Sequence, residues 1–211
     1  MKQLPNRGHA AARQRGVTLV IVLLILVVVT LVGVGGARIA LLGERSTRYD
    51  RDYLIASQAA EAALMDAECD LRGNVQSVNC TSTRNTTITP DNIVIFESGC
   101  SSNATRRGLC LPAAESTTVK PIWQTVNFLD DDPATARTVA FGTFTGKTFG
   151  AGTAGIQPER PPRYIVEVVP DQQPGQDASK TPKMFRVTAI GFGPRKEVQV
   201  VMQIGFRKEK G

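Results

Sequence analysis

The sequence predicts an α+β fold: one long N-terminal helix, first transmembrane and then amphipathic, packed on a C-terminal antiparallel sheet. Three observations carry this. Residues 17–37 contain no charge and are almost wholly aliphatic, and about 20 such residues cross a bilayer core as a helix. From Leu41 the residues turn amphipathic, and residues 54–72 are rich in Ala, Leu, Met and Glu, all strong helix formers. The last third holds three segments of β-branched and aromatic residues separated by turn residues, the pattern of paired strands.

The elements follow in order. Residues 1–16 are a short polar leader carrying Lys2, Arg7, Arg13 and Arg15 and no acid. A secretory signal would have a shorter apolar region and a small-residue cleavage site after it; here the apolar run is longer and no A-x-A site follows. Residues 17–37 are the membrane helix, and residues 38–73 extend it as an amphipathic helix. Leu54, Ile55, Ala59, Ala62, Ala63 and Leu71 are spaced as an apolar stripe, and Gly73-Asn74 is a helix stop. Gly33, Gly35, Gly36 and Gly43 each weaken a helix by about 1 kcal/mol relative to alanine, but glycines let membrane helices approach closely.

Residues 74–211 form the domain beyond the membrane. Residues 74–117 are rich in Ser, Thr and Asn and hold three of the four cysteines. This is a loop-rich region that needs covalent staples, with residues 88–96 its one strand-like segment. Residues 122–129 read as a strand, Asp130-Asp131-Asp132-Pro133 as a turn, residues 138–145 as another short strand, and residues 146–162 as a Gly/Pro-rich loop. Residues 164–169, 184–192 and 197–206 are the clearest strands. In the second of them Phe185, Val187 and Ala189 alternate with Arg186, Thr188 and Ile190. Gly193-Pro194-Arg195-Lys196 turns the last two into an antiparallel hairpin, and residues 171–180 are a polar loop.

Composition excludes several functions. The net charge is +6, but four of the basic residues lie in the leader. The rest of the chain is nearly balanced and offers no footprint for nucleic acid. Cys69, Cys80, Cys100 and Cys110 all follow the apolar run and include no C-x-x-C pair. They read as two disulfides, for which four cysteines allow three pairings. Disulfides imply an oxidising compartment, so residues beyond about 45 are expected to lie outside the cytoplasm. Charge gives no orientation, because Arg38, Arg45, Arg48 and Arg51 match the leader's four cations.

The only histidine is His9, in the leader. Without the leader the chain has no Ser-His-Asp or Cys-His machinery and no histidine for a metal. Gly146-Lys147-Thr148 lacks the glycine spacing of a phosphate loop. Asp130–Asp132 lacks the alternating ligand positions of a calcium loop and reads as a solvated turn. Asn79-Cys80-Thr81, Asn85-Thr86-Thr87 and Asn103-Ala104-Thr105 match a glycosylation pattern that arises by chance in Thr-rich loops. The chain is therefore expected to be no enzyme, with no catalytic residue, cofactor or metal.

The positive signal is Arg15-Gly16-Val17-Thr18-Leu19-Val20. A basic leader, a glycine and then an aliphatic helix resemble the signal cut by prepilin peptidase, and glycine lets the backbone extend into a protease cleft. Further blocks follow: Gln58-Ala59-Ala60-Glu61-Ala62-Ala63-Leu64 with Asp66-Ala67-Glu68, Gly99-Cys100 with Gly108-Leu109-Cys110, and Trp123. After them come Phe141-Gly142-Thr143-Phe144-Thr145-Gly146, Pro162-Arg163-Tyr164-Ile165-Val166-Glu167 and Phe185-Arg186-Val187-Thr188-Ala189-Ile190-Gly191. In this order, from about residue 15 to 206, they resemble the PilX family of type IV pilus minor pilins.

The resemblance implies a pilin-like fold and a role in the tip or priming complex that starts pilus assembly and supports twitching motility. It implies cleavage between Gly16 and Val17 and methylation of the new Val17 amine. The implied partners are other minor pilins, the major pilin, prepilin peptidase and the inner-membrane assembly platform. The chain would sit in the inner membrane and, after assembly, at the pilus tip. The cysteine blocks imply a Cys100–Cys110 disulfide, and with it Cys69–Cys80. One position departs: most pilins carry glutamate at the fifth residue after the cut, where this chain has Ile21. That substitution implies a subunit with no neighbour above it. Two other readings stand beside this one: a minor pseudopilin of type II secretion, and a signal-anchored envelope enzyme or binding protein.

Overall fold

A computed structural model describes residues 17–75, 79–84, 86–112, 120–152, 155–171 and 182–208. The leader, Asn85 and all but Asp171 of the polar loop 171–180 lie outside the described residues. Helix α1 spans Val17–Arg72. The chain forms two compact units, Met1–Arg48 and Tyr49–Gly211.

In the first unit every described residue is exposed, although most of residues 17–42 are Leu, Ile and Val. The helix is long and apolar enough to cross a membrane, and so much bare aliphatic surface is unfavourable in water. Thr30 donates its hydroxyl to the Val27 carbonyl, and Thr47 to that of Gly43, so neither polar side chain needs an outside partner.

The second unit packs residues 49–72 of α1 on a mixed sheet. The sheet is six-stranded among the described residues. Its strands are β1 (Glu97–Ser98), β2 (Leu109–Leu111), β3 (Val139–Ala140), β4 (Arg163–Pro170), β5 (Lys183–Phe192) and β6 (Gln199–Phe206), and a one-turn helix α2 spans Ile122–Thr125. Strands β4, β5 and β6 form the antiparallel body, and β3 also runs antiparallel to β4. Short β1 and β2 extend the sheet in parallel, in the order β1-β2-β4-β5-β6.

Strand β4 and most of β5 are covered on both faces. On one, Tyr164, Val166, Phe185, Val187 and Ala189 meet Ala63, Leu64, Ala67 and Leu71 of the helix. On the other, Ile165, Ile190 and Phe192 meet Cys100, Cys110, Ile122 and Phe128. The alternation in β5 thus separates two cores rather than core from water.

The helix ends as its sequence requires. Gly73, at φ +77°, donates its N–H to the Cys69 carbonyl, a left-handed cap that glycine adopts without strain. The Lys208 ammonium donates to the carbonyls of Leu71 and Ile88, placing a cation at the negative end of the helix.

Four sequence expectations need correction. The buried helix face is Ala56, Ala59, Ala60, Ala63, Ala67 and Leu71; Leu54 is exposed, and Ile55 and Ala62 are half-buried. The face is chosen by close approach rather than by bulk. A Cβ on Gly191 would stand 1.9 Å from the Ala56 carbonyl oxygen and 2.4 Å from the Ala60 nitrogen, so β5 lies against the helix backbone and only small residues fit between.

Residues 88–96 are not a strand. Thr89-Pro90-Asp91-Asn92 makes a turn, with the Asn92 N–H on the Thr89 carbonyl, as proline followed by Asp and Asn favours. A 3₁₀ turn at Ile93–Ile95 follows. Residues 122–129 begin with α2 after Pro121, and Thr125 and Asn127 bond their own backbone, to the Ile122 carbonyl and the Leu129 N–H; such local bonds compete with a sheet ladder. Of residues 138–145 only Val139–Ala140 is strand, because Gly142 at φ +77° turns the chain.

Gly191→Val tests the close approach. We expect a loss of about 3 kcal/mol or more, at or beyond the upper end of overpacking costs, because backbone and not a flexible side chain blocks the new atoms. Chemical unfolding of the detergent-solubilised chain measures it; a stability within error of the parent would contradict the packing.

Candidate functional site

The sequence-derived residues fall into two groups that the structure does not bring together. Val17 is the first residue of α1, Ile21 lies one turn later, and both are exposed. Gly16 lies outside the described residues. All four cysteines belong to the second unit. Cys69 is joined to Cys80 and Cys100 to Cys110, with Cα separations of 5.1 and 4.1 Å. The first disulfide ties the last turn of α1 to the segment where Val75 and Cys80 exchange backbone hydrogen bonds. The second ties β2 to the turn after β1, where Gly99 and Cys100 both have positive φ, 73° and 69°. A cross-link closing about ten residues contributes somewhat under 3 kcal/mol in the chain-entropy model.

Between these staples lies a polar cluster. Asp66 and Asp70 stand one turn apart on the buried face of α1. Asp70 accepts from Arg84 Nη2 at 2.7 Å and Nε at 3.0 Å, from Ser82 Oγ at 3.0 Å and from Tyr164 Oη at 3.1 Å. The Asp70 and Arg84 side chains are both fully enclosed. Arg84 spends its remaining donors on the carbonyls of Thr105 and Arg107 and lies 3.5 Å over the Phe144 ring. Asp66 accepts the Gly142 N–H at 2.9 Å and the Thr145 hydroxyl. Further along the same face, Asp52 accepts from Arg195 Nε at 2.7 Å.

Electrostatics follow burial. The Asp66 carboxyl is pushed above the ordinary carboxylate range, because burial outweighs the bonds from Thr145 and Gly142 and the nearby Lys147 ammonium. The Tyr164 phenol is pushed well above its usual value, first by burial and then by the charges of Asp70 and Asp66. It therefore stays a neutral donor to Asp70. Every carboxylate of this face is held by donors of the β domain, which is the chemistry of a clamp.

Sequence reasoning quoted Asp66 and the Phe141–Gly146 block separately but missed that one holds the other. A signal was available: Asp52, Asp66 and Asp70 are 14 and 18 residues apart, close to whole helical turns, and so share a face with the small alanines. The turn expected at Asp130–Pro133 falls one step later, at residues 133–135, with Asp130–Asp132 leading into it. Asp130 and Asp132 accept from the N–H groups of Asp132 and Ala134, and Asp131 pairs with Arg163 at 2.8 Å and Arg160 at 3.3 Å.

Two measurements check the clamp. Arg84→Met leaves the Asp70 charge enclosed with fewer donors, and we expect a loss of about 3–5 kcal/mol. Asp66→Ala strands the donors of Gly142 and Thr145 and is expected to lose about 1.5–3 kcal/mol, whereas Asp66→Asn loses less because an amide serves both. The raised Asp66 carboxyl means the folded chain binds more protons than the unfolded one. Its contribution to stability therefore falls as pH rises through the raised value and is relieved on acidification. We expect Asp66→Asn to gain on the parent as pH rises toward neutrality; parallel pH profiles in denaturant titrations would rule this out.

Comparison with known protein families gives two matches. Residues 15–64 match the PilX N-terminal model, and residues 106–208 match the model described as the type IV pilus assembly protein PilX C-terminal region. No curated protein and no solved structure matched the chain significantly. The N-terminal match covers the start of the apolar helix and its small-residue face. The C-terminal match covers β2, the clamp loop at Gly142–Thr145 and the whole antiparallel body. With the long apolar helix and the α+β unit, these matches mean that the chain belongs to the PilX family of type IV pilus assembly proteins.

Proposed function

We propose that this pilus assembly component is a minor pilin of the tip or priming complex, acting through its surfaces and not by catalysis. The observation that carries the reading is Ile21. The first turn of α1 has no acid, and residues 17–43 contain none at all. A carboxylate in lipid is costly without a partner. In the fibre body a neighbour's terminal amine supplies one; a subunit with no neighbour above it needs neither. An apolar Ile21 suits that place.

The proposal carries a sequence of steps. Prepilin peptidase removes residues 1–16 by cutting between Gly16 and Val17, and the Val17 amine is methylated. Residues 17–37 hold the chain in the inner membrane with the N-terminus cytoplasmic, residues 38–73 extend the helix, and residues 74–211 face the periplasm. Other minor pilins, the major pilin and the assembly platform meet it there. The pairing of the four cysteines of the second unit into two disulfides supports an oxidising compartment for that unit.

Two tests follow. Intact mass spectrometry of the protein from piliated cells is expected to show a chain beginning at methylated Val17; retention of residues 1–16 where prepilin peptidase is active contradicts the proposal. In a strain carrying only Ile21→Glu, we expect pilus number and twitching no higher than the parent's. The unpaired carboxylate costs about 2.5–3.5 kcal/mol near the bilayer centre and less near its edge. A clear rise in either readout at equal protein level would mean that Ile21 is a handicap and not a tip adaptation.

A further inference from the structure

The charged residues of α1 that follow its apolar run are Arg38, Glu44, Arg45, Arg48, Asp50, Arg51 and Asp52. Glu44 accepts from Arg48 one turn later, and Arg51 pairs with Asp52. Arg38 and Arg45 are exposed and have no ion partner among the described residues. Helix geometry explains why, since only residues three or four positions apart face each other. Around Arg38 those positions hold Val34, Gly35, Leu41 and Leu42; around Arg45 they hold Leu41, Leu42, Arg48 and Tyr49. None is an acid. Asp50 lies five residues past Arg45, about 140° round the helix.

The two unpaired cations share a face. Seven residues separate them, about two turns. Their heights suit a membrane surface. Residues 17–37 hold no charge and rise about 31 Å as a helix, close to the thickness of a hydrocarbon core, about 30 Å. Arg38 is thus the first charge where the core ends. Arg45 stands about 10 Å further along, and helical side chains lean toward the N-terminus, which brings its guanidinium back toward the headgroups. Ile39, Leu41 and Leu42, between the two arginines, are each more than half exposed. The face therefore offers a lipid both apolar and cationic surface.

The chemistry points to phosphate. No lysine occurs from residue 3 to residue 119, and the planar fork of a guanidinium matches two oxygens of one phosphate. A carboxylate fits the fork as well, but a helix leaving a bilayer meets lipid phosphate first. Two cations with no acid beside them call for a headgroup of net negative charge, because a zwitterionic one brings its own counter-charge.

We propose that Arg38 and Arg45 together hold the phosphate of an anionic phospholipid, of the phosphatidylglycerol kind, in the leaflet that α1 leaves on its way to Arg72. This rests on reading residues 17–37 as a membrane anchor and not on the tip assignment. The contact sets the depth of the helix in the bilayer and has to be given up for the chain to leave it.

The test titrates the full chain in detergent with dioleoyl phosphatidylglycerol and, separately, with dioleoyl phosphatidylcholine, which has the same tails and no net charge. Native mass spectrometry counts the bound lipid. We expect phosphatidylglycerol to bind about 25-fold more tightly, about fivefold for each arginine at a charged headgroup. Arg38→Gln and Arg45→Gln should each reduce the preference to about fivefold, and the double variant should abolish it. Both residues are exposed, so no packing is lost. Lys196→Gln removes a mostly exposed cation from the second unit and should leave the preference intact, and free glycerol phosphate at the same concentration should not displace the lipid. The proposal is overturned by equal binding of the two lipids, by a preference that survives the double variant or falls as far in Lys196→Gln, or by displacement with glycerol phosphate. Loss of a co-purified pilus subunit from the double variant, with the lipid preference unchanged, assigns the pair to a protein carboxylate and overturns it too. Flotation with phosphatidylcholine vesicles separates the two readings. A chain that floats but shows no preference keeps its anchor and loses the arginine site, whereas a chain that does not float loses both.

Discussion

The second unit is organised around one enclosed charge, the carboxylate of Asp70. A carboxylate in a low-dielectric interior is tolerated only when it is paired and hydrogen-bonded. Asp70 meets that requirement with groups from two parts of the chain: Ser82 and Arg84 of the loop after the helix, and Tyr164 of β4. Arg84 passes the constraint on, because its own remaining N–H groups need the carbonyls of Thr105 and Arg107. One buried acid therefore sets the positions of the helix end, two loops and a central strand. Such a pair is weak as a source of net stability; its effect is to permit one arrangement and make the alternatives expensive.

The small residues of the helix serve the same end by steric means. Gly191 brings β5 against the backbone at Ala56 and Ala60, closer than any residue with a side chain allows. Asp66 then holds the Gly142–Thr145 turn and Asp52 holds Arg195 beside the β5–β6 hairpin. The helix is thus gripped along residues 52–70 by polar contacts placed between apolar ones. The Cys69–Cys80 disulfide closes the end of this grip where the chain leaves the helix. The polar loop at residues 101–107 is held by the second disulfide at its base and by Arg84.

For a pilus component this rigidity has a use. An assembly protein works by presenting surfaces, and a surface recognises a partner only if its groups keep a defined geometry. The exposed apolar stretch of α1 is consistent with a single-pass membrane anchor. Among the described residues, the buried carboxylates Asp52, Asp66, Asp70, Glu167 and Asp171 are all held by donors of the same fold.

Much of this was legible in the sequence. Hydrophobicity and helix propensity are local properties, so the apolar run, the helix stop at Gly73 and the three long strands could be read directly. The sequence alone did not reveal which helix face is buried. Leu54 looks like core and is exposed, whereas Asp66 and Asp70 look like surface and are enclosed. Asp66 is held by Gly142, and Asp70 in part by Tyr164, partners 76 and 94 residues away, and no local window contains them. For the same reason residues 88–96 and 122–129, apolar enough for strands, became turns: proline and Asn/Asp chemistry ruled locally, and a place in the ladder had to be available as well. The tertiary structure also decided that β2, three residues of an unpromising loop, joins the sheet, because the disulfide at Cys110 and the left-handed turn at Gly108 deliver it to β4.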